Sequence, residues 1–320
     1  MSAATTVARP IGEPEIPNRP APLESWNCLS VDVEEYFQCE AFAAVVQPRD
    51  WPHFERRAQS RLELITELLE RYKSRATFFV LGWLAPYLRS ALRELSARGH
   101  EVACHGYGHQ HLARMTPASL AEDLRRATDV IGDCVGVRPR GYRAPTFSVT
   151  AQTAWALDVI AAAGFEYDAS IFPVWHDRYG VPDAPLTPFH AVSPCGRRIP
   201  EFPPLTLSCG GARIPLGGGG YMRLLPGWLL RAALRRRAAQ GRPVMLYLHP
   251  WELDPDQPAL PAGRLSRWRH RVNLHTTAAK LEALLQRFRF EPAGDILRDY
   301  TTHCKLPEHS LARPGTSKLK

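Results

Sequence analysis

The sequence has no Cys-X-X-Cys pair, no apolar run of membrane-spanning length and no repeat of fixed period. Each absence removes a class of protein. Its seven cysteines, Cys28, Cys39, Cys104, Cys134, Cys195, Cys209 and Cys304, are odd in number and scattered. That argues against a disulfide framework and for a reducing compartment. Apolar stretches fall short of the roughly 20 residues that cross a bilayer. Residues 1–24 are polar and proline-rich, without the apolar core of a secretory leader or anchor, so a cytoplasmic location is expected. The missing period excludes solenoids and propellers. Gly217-Gly218-Gly219-Gly220 runs into Tyr221-Met222-Arg223 and lacks the Gly-Lys-Ser/Thr ending of a phosphate loop, so a tight turn is expected there.

What is present suits a large folded domain. The 320 residues are 45% hydrophobic and 22% charged, ample for a sizeable core. A net charge of +8 invites a nucleic-acid reading. The arginines, however, are spread along helices and form no stripe interleaved with aromatics, so no nucleic-acid partner is expected. The densest basic runs, 231–237 and 264–271, read as solvated helix faces, with peripheral contact to acidic lipid or an anionic polymer as the alternative.

Strand-like and helix-like segments alternate. Short apolar runs at 28–33, 76–81, 101–104, 140–143, 165–168 and 243–249 predict strands. Helical periodicity marks 61–72, 86–98, 151–163, 226–240 and 276–288, and a further helix starts at Pro117 behind Thr116 and stops at Gly136. From 174 to 220 the pattern dissolves into Pro/Gly-rich loops with one extended run at 198–207, and 290–297 reads as a last extended piece. Repeated strand-then-helix units imply a parallel sheet with helices outside. Asp32, His105, Arg143, Asp168 and His249 all fall at the carboxyl ends of predicted strands, which in a barrel share one rim.

The residue types on that rim are those of a metal-dependent hydrolase. His105 and His109, four apart, with Glu34 supply two imidazoles and a carboxylate for a divalent ion, zinc being the expected one, and leave a position open for water. Glu34 is preferred because residues two apart in a strand share a face, so it points with Asp32 while Glu35, the alternative, points away. Asp32 is the candidate general base. Arg143 is placed to hold it by a charge-assisted contact. His249 is the candidate general acid, with Asp168 expected to orient it and raise its pKa. Tyr107, Trp175, Tyr221 and Trp251 are candidate substrate-facing aromatics, and Pro145 and Thr146, in the turn after Arg143, are further candidate substrate contacts.

Asp32 in Ser-Val-Asp, His105-Gly-Tyr-Gly-His109, Arg143-Ala-Pro145, Asp168-Ala-Ser170 and Leu248-His249 resemble, in order and rough spacing, the five motifs of the polysaccharide deacetylase family, the NodB-homology carbohydrate esterases. The resemblance covers about residues 28–250. It implies an α/β fold, an irregular (β/α) barrel, and removal of acetyl groups from N-acetylated sugar polymers or their lipid-linked precursors. It also implies Asp32 as base, His105 and His109 as metal ligands, Arg143 as the residue holding the base and His249 as acid tuned by Asp168. The chain departs from the family at Val33, which stands where a second aspartate, a metal ligand, is usual; Glu34 comes one position later. Residues 250–300 resemble a branch with an extra C-terminal segment, which accompanies exopolysaccharide and exosortase gene clusters. The expected organisation is a tail over 1–25, a barrel over 26–255, an extension over 256–304 packed on the barrel and a tail over 305–320. Two other readings remain: a hydrolase of small non-peptide amides on the same fold, and a catalytically silent sugar-binding or scaffold protein.

Overall fold

Strand β1 (Asn27–Val33) shows how the chain divides its apolar residues. Leu29, Val31 and Val33 face outward into the layer of helices, while Cys28 points the other way, into a separate cluster inside the sheet. That alternation is the period of two expected of a strand with a core on both faces. The computed structural model describes residues 26–311. The chain continues through α1 (Ala58–Arg71), β2 (Thr77–Val80), α2 (Arg89–Ala97), β3 (Glu101–Cys104), α3 (Pro117–Val135), β4 (Gly141–Tyr142), α4 (Ala156–Ala162) and β5 (Tyr167–Asp168). Capping matches the sequence signals: Thr116 accepts from the Ser119 amide at the start of α3, and Gly136 ends it at φ 89°.

The region expected to be loops is folded into hairpins. Strands β6 (Phe189–Val192) and β7 (Arg198–Glu201) pair antiparallel, as do β8 (Thr206–Cys209) and β9 (Ala212–Pro215). Short strands separated by Pro and Gly leave no apolar period to read, so the extended run at 198–207 was the only trace of them. Helices α5 (Gly220–Leu224) and α6 (Gly227–Ala239) lead to β10 (Val244–Leu248), followed by α7 (Arg264–Arg271), α8 (Leu274–Leu285), α9 (Ala293–His303) and β11 (Glu308–Ser310).

Nine strands form one sheet in the order β10-β1-β2-β3-β4-β5-β7-β6-β11, parallel except between β6 and β7. The barrel is irregular at its seam, where isolated contacts replace a ladder. Leu205 N donates to Met245 O at 2.8 Å and Gly219 N to Tyr247 O at 3.1 Å. A Cβ on Gly218 would lie 1.6 Å from the Tyr247 carbonyl oxygen, so the glycine run exists to let the two backbones touch.

Two expectations fail at the carboxyl end of the chain. Residues 290–297 are not an extended piece: α9 begins at Ala293 after Pro292 and buries Ile296, Leu297 and Tyr300 against the barrel floor, with Cys28, Phe79 and Met245. The helical spacing of those side chains starts behind Phe290-Glu291-Pro292, which masks it. Residues 305–311 are not tail, because β11 pairs parallel with β6, and Leu306 and Leu311 are buried. Edge pairing rests on backbone hydrogen bonds and needs no apolar period. The parts of the expected tails at 1–25 and 312–320 lie outside the described residues.

Candidate active site

Asp32 closes β1 with its side chain turned inward, and Arg143, at the end of β4, reaches it from across the barrel. Arg143 Nη1 lies 2.5 Å from Asp32 Oδ1, its Nε donates to Ala169 O at 3.1 Å, and the Phe79 ring lies under the guanidinium at 4.1 Å. The arginine is fully buried, so its geometry is fixed on all sides.

Glu34, His105 and His109 converge: one ligand atom from each lies within 4.8 Å of the other two. His105 Nδ1 meets Arg143 O at 2.8 Å, which sets that nitrogen as the donor and leaves Nε2 for the cluster. Burial drives the His105 imidazole down to about 4, keeping it neutral as a ligand must be. Glu34 Oε2 lies 2.6 Å from His109 Nε2, and Glu34 Oε1 accepts from Trp251 Nε1 at 3.1 Å. Burial alone would raise the Glu34 carboxyl, but His109 and His249 hold it well below the usual carboxylate range. Glu35 points away as the pleat predicts. Its carboxylate accepts from the Arg57 amide at 2.9 Å and the Ala58 amide at 3.0 Å, capping α1. The two-imidazole, one-carboxylate donor set fits a divalent cation.

His249 follows β10 and faces both acids, with Nε2 3.5 Å from Glu34 Oε1 and 3.9 Å from Asp32 Oδ2. Its orienting partner is Glu252 and not Asp168. Glu252 Oε2 lies 3.2 Å from His249 Nδ1 and also accepts the His249 amide at 3.0 Å, while Arg223 Nε donates to its other oxygen at 2.8 Å. Burial opposes charge on His249, but Glu34 and Glu252 outweigh it and push the imidazole up to about 9. The signal in the sequence was His249-Pro-Trp-Glu252, with Pro at the first helical position and Glu at the third, the capping-box pattern. Asp168 instead accepts from Ser170 Oγ at 2.5 Å, and the same hydroxyl accepts from the Ala144 amide at 2.7 Å. Asp168 thus braces the loop that carries Arg143. Burial raises both Asp168 and its neighbour Glu201, Glu201 more strongly.

The expected substrate contacts divide. Tyr107 turns away from the site: its ring packs against Gly82 and lies under the Arg126 guanidinium at 3.6 Å, against α3. Trp251 is buried between His249 and His270, at 4.9 and 4.2 Å between ring centroids, so it is a wall supporting Glu34 and His249 and is closed to sugar stacking. Tyr221 stays half-buried, bonded to Tyr179. Pro145 is buried, and Thr146 is half-exposed in a left-handed turn, φ 60°. His109 (φ 48°), Thr146 and Phe147 (φ 51°) are three of the five non-glycine residues with positive φ among those described. Strain of this kind gathers where function fixes the backbone. Asp123 of α3 supports the histidine turn by accepting from the Tyr107 amide at 2.8 Å and the Gly108 amide at 3.2 Å; nothing in the sequence marked it. A cleft of about 630 Å³ runs from Glu40 and Arg114 to Trp175, His176 and Tyr179, and shares Glu40 and Arg114 with a smaller cleft lined by His109.

The polysaccharide deacetylase family model matches residues 51–167, and that of a domain of unknown function (DUF3473) matches 169–298. The peptidoglycan deacetylase of Helicobacter pylori (strain ATCC 700392 / 26695) is 29% identical over 107 residues, 33% of this chain and 36% of that protein. The chitooligosaccharide deacetylase of Bradyrhizobium sp. (strain ANU 289) is 32% identical over 100 residues, 31% and 43% respectively. The chain thus matches less than half the length of either relative. Among solved structures, a Mycobacterium smegmatis protein assigned to the polysaccharide deacetylases superposes with a TM-score of 0.58 at 20% identity, covering 93% of this chain and 97% of that one. The Puue allantoinase gives 0.57 at 15%, covering 93% and 98%. Both likenesses concern the fold, an α/β barrel built on parallel strands.

Proposed function

We propose that this chain, whose residues 51–167 match the polysaccharide deacetylase family, is a metal-dependent hydrolase removing N-acetyl groups from a sugar polymer or its lipid-linked precursor. The observation that carries the reading is the convergence of Glu34, His105 and His109 beside the Asp32–Arg143 pair and His249. Glu34, His105 and His109 would hold a divalent ion, zinc by donor type, which supplies Lewis acidity to the acetyl carbonyl when bound. Asp32, anchored by Arg143, takes the proton of the attacking water. His249, held by Glu252, gives a proton to the leaving amine as the tetrahedral oxyanion collapses. A backbone N–H of the turn at Thr146 faces that oxyanion in this reading.

The open cleft ending at Trp175 favours an extended substrate over a small amide. The setting in this reading is exopolysaccharide biosynthesis, supported by the resemblance of the segment after His249, and a cytoplasmic location is supported by seven free thiols. The test is metal analysis with acetate release from chitooligosaccharides. Metal-loaded protein should release acetate and His249→Ala should not. Equal, slow release by both at full metal content would refute the enzyme reading in favour of a silent sugar-binding protein.

A further inference from the structure

The sequence distributes charge unevenly. Between Glu201 and Glu252 there is no acidic residue and there are seven arginines; between Asp256 and Glu282 there is again none, against four arginines and one lysine. The acids that interrupt this stretch are largely spent within the fold. Glu252 is buried on Arg223 and His249, and Asp254 is buried and paired with Arg57. No helix among the described residues is long and apolar enough to cross a membrane.

Helix α7 concentrates this excess on one surface. His270 is its buried residue, and the outer face is Arg264, Leu265, Arg267, Trp268 and Arg269. Leu265 is 59% exposed and Trp268 57%, values that globular packing does not explain. No carboxylate among the described residues pairs with Arg264, Arg267 or Arg269. The exposed apolar surface continues onto the neighbouring segment. Arg223 Nη1 donates to His270 O and Val272 O, both at 2.9 Å, and Asn273 Nδ2 donates to Arg223 O at 3.3 Å. These bonds set the exposed Leu224, next in the chain to Arg223, beside the carboxyl end of α7. On the other side Arg269 acts on His176, next to Trp175, which is 81% exposed.

We propose that this face, centred on α7, docks the protein on the surface of an anionic lipid bilayer. The physical argument is the pairing of two features. Arginines bring the helix to a negative surface, and tryptophan and leucine between them enter the headgroup and acyl boundary, the composition of an interfacial amphipathic helix. An anionic glycan would be served by the arginines and tryptophans, but the exposed leucines give it nothing to bind.

The position of α7 matters for the site. His270 stacks on Trp251 at 4.2 Å and Trp251 on His249 at 4.9 Å, so one aromatic ring separates the docking helix from the candidate acid. Docking therefore holds the site beside the bilayer, where a lipid-linked sugar is presented. That consequence rests on the deacetylase reading; the docking itself does not.

The experiment is co-sedimentation of the full chain with vesicles of equimolar phosphatidylglycerol and phosphatidylcholine, and with phosphatidylcholine alone. No acetate release is measured, so failure here is separate from failure of the enzyme. The protein should pellet with the anionic vesicles, stay in solution with the neutral ones, and release as salt screens the surface. Leu265→Ser with Trp268→Ser should weaken binding by about tenfold or more, as should Arg264→Glu with Arg267→Glu. These positions are exposed, and unchanged circular dichroism and melting check the fold. A wild type that stays in solution with anionic vesicles overturns the proposal. So does a Leu265→Ser/Trp268→Ser protein that binds vesicles as well as wild type and is released by dextran sulfate, which would assign the face to a soluble polyanion.

Discussion

Both ends of the barrel bury a carboxylate, and they treat it in opposite ways. At the carboxyl end, Glu34 faces His109 and His249, and the imidazoles keep it ionised against the cost of burial. At the amino end, Glu101 Oε2 accepts from the Thr77 hydroxyl at 2.9 Å, the Tyr167 hydroxyl at 3.0 Å and the Gly294 amide at 3.0 Å, while Arg140 stands 3.6 Å from the other oxygen. There burial wins and the carboxyl is raised. Both acids are buried; the partners decide whether such an acid stays charged or becomes a hydrogen-bonded peg for α9.

Substitutions can break that contrast. The largest effect is expected at the carboxyl end, where His105→Ala should lower acetate release by about a thousandfold with little change in melting temperature. A melting temperature that collapses with activity would show the cluster to be structural. Glu101→Ala should do the reverse, costing about 3 kcal/mol in denaturant unfolding by stranding buried donors, with bound metal per chain unchanged. Trp251→Phe removes one bond to Glu34 and should slow acetate release about tenfold, near 1.4 kcal/mol, without unfolding. Glu35→Gln should cost about 1 kcal/mol as a weakened helix cap and leave metal content intact, whereas Glu34→Gln should lose metal. The finest effect is a slope. Burial lowers His100 from 6.5 to about 4, where its neutral Nδ1 accepts the Ala76 amide. Because the unfolded chain takes up that proton first, the contribution is full above pH 6.5 and lost as pH falls toward 4. Melting temperature should therefore drop less steeply across that range in His100→Gln than in wild type.

The carboxyl rim was the more legible end. A pleat with period two separates Glu34 from Glu35, and strand ends put Asp32, His105, Arg143 and His249 on one rim from local pattern alone. Local pattern does not report which acid meets His249 Nδ1: the sequence points to Asp168, whereas Glu252, three residues on in a capping box, holds it. Trp251 and Tyr107 were misplaced for a related reason: an aromatic near a motif has two faces of the chain to choose between, and packing decides. The hairpins from β6 to β9 and strand β11 depend on long-range pairings with no sequence period of their own, and the helical spacing of α9 is masked by Phe290-Glu291-Pro292 ahead of it.

The floor made by α9 sets the order in which the molecule can be built. Trp26 donates to Asp299, 273 residues away, and packs edge-on to Tyr300. The first strand of the barrel is thus sealed by α9, the last of the described helices to be synthesised. Until then Cys28, Phe79 and Met245 lack the cover of Ile296, Leu297 and Tyr300, and such non-local closure makes for slow folding with exposed apolar surface along the way. The junction at 169, where one matched family region gives way to the next, falls inside the strand order. It divides two family matches and not the fold, and a chain cut there or ahead of α9 should leave the apolar floor of the barrel exposed.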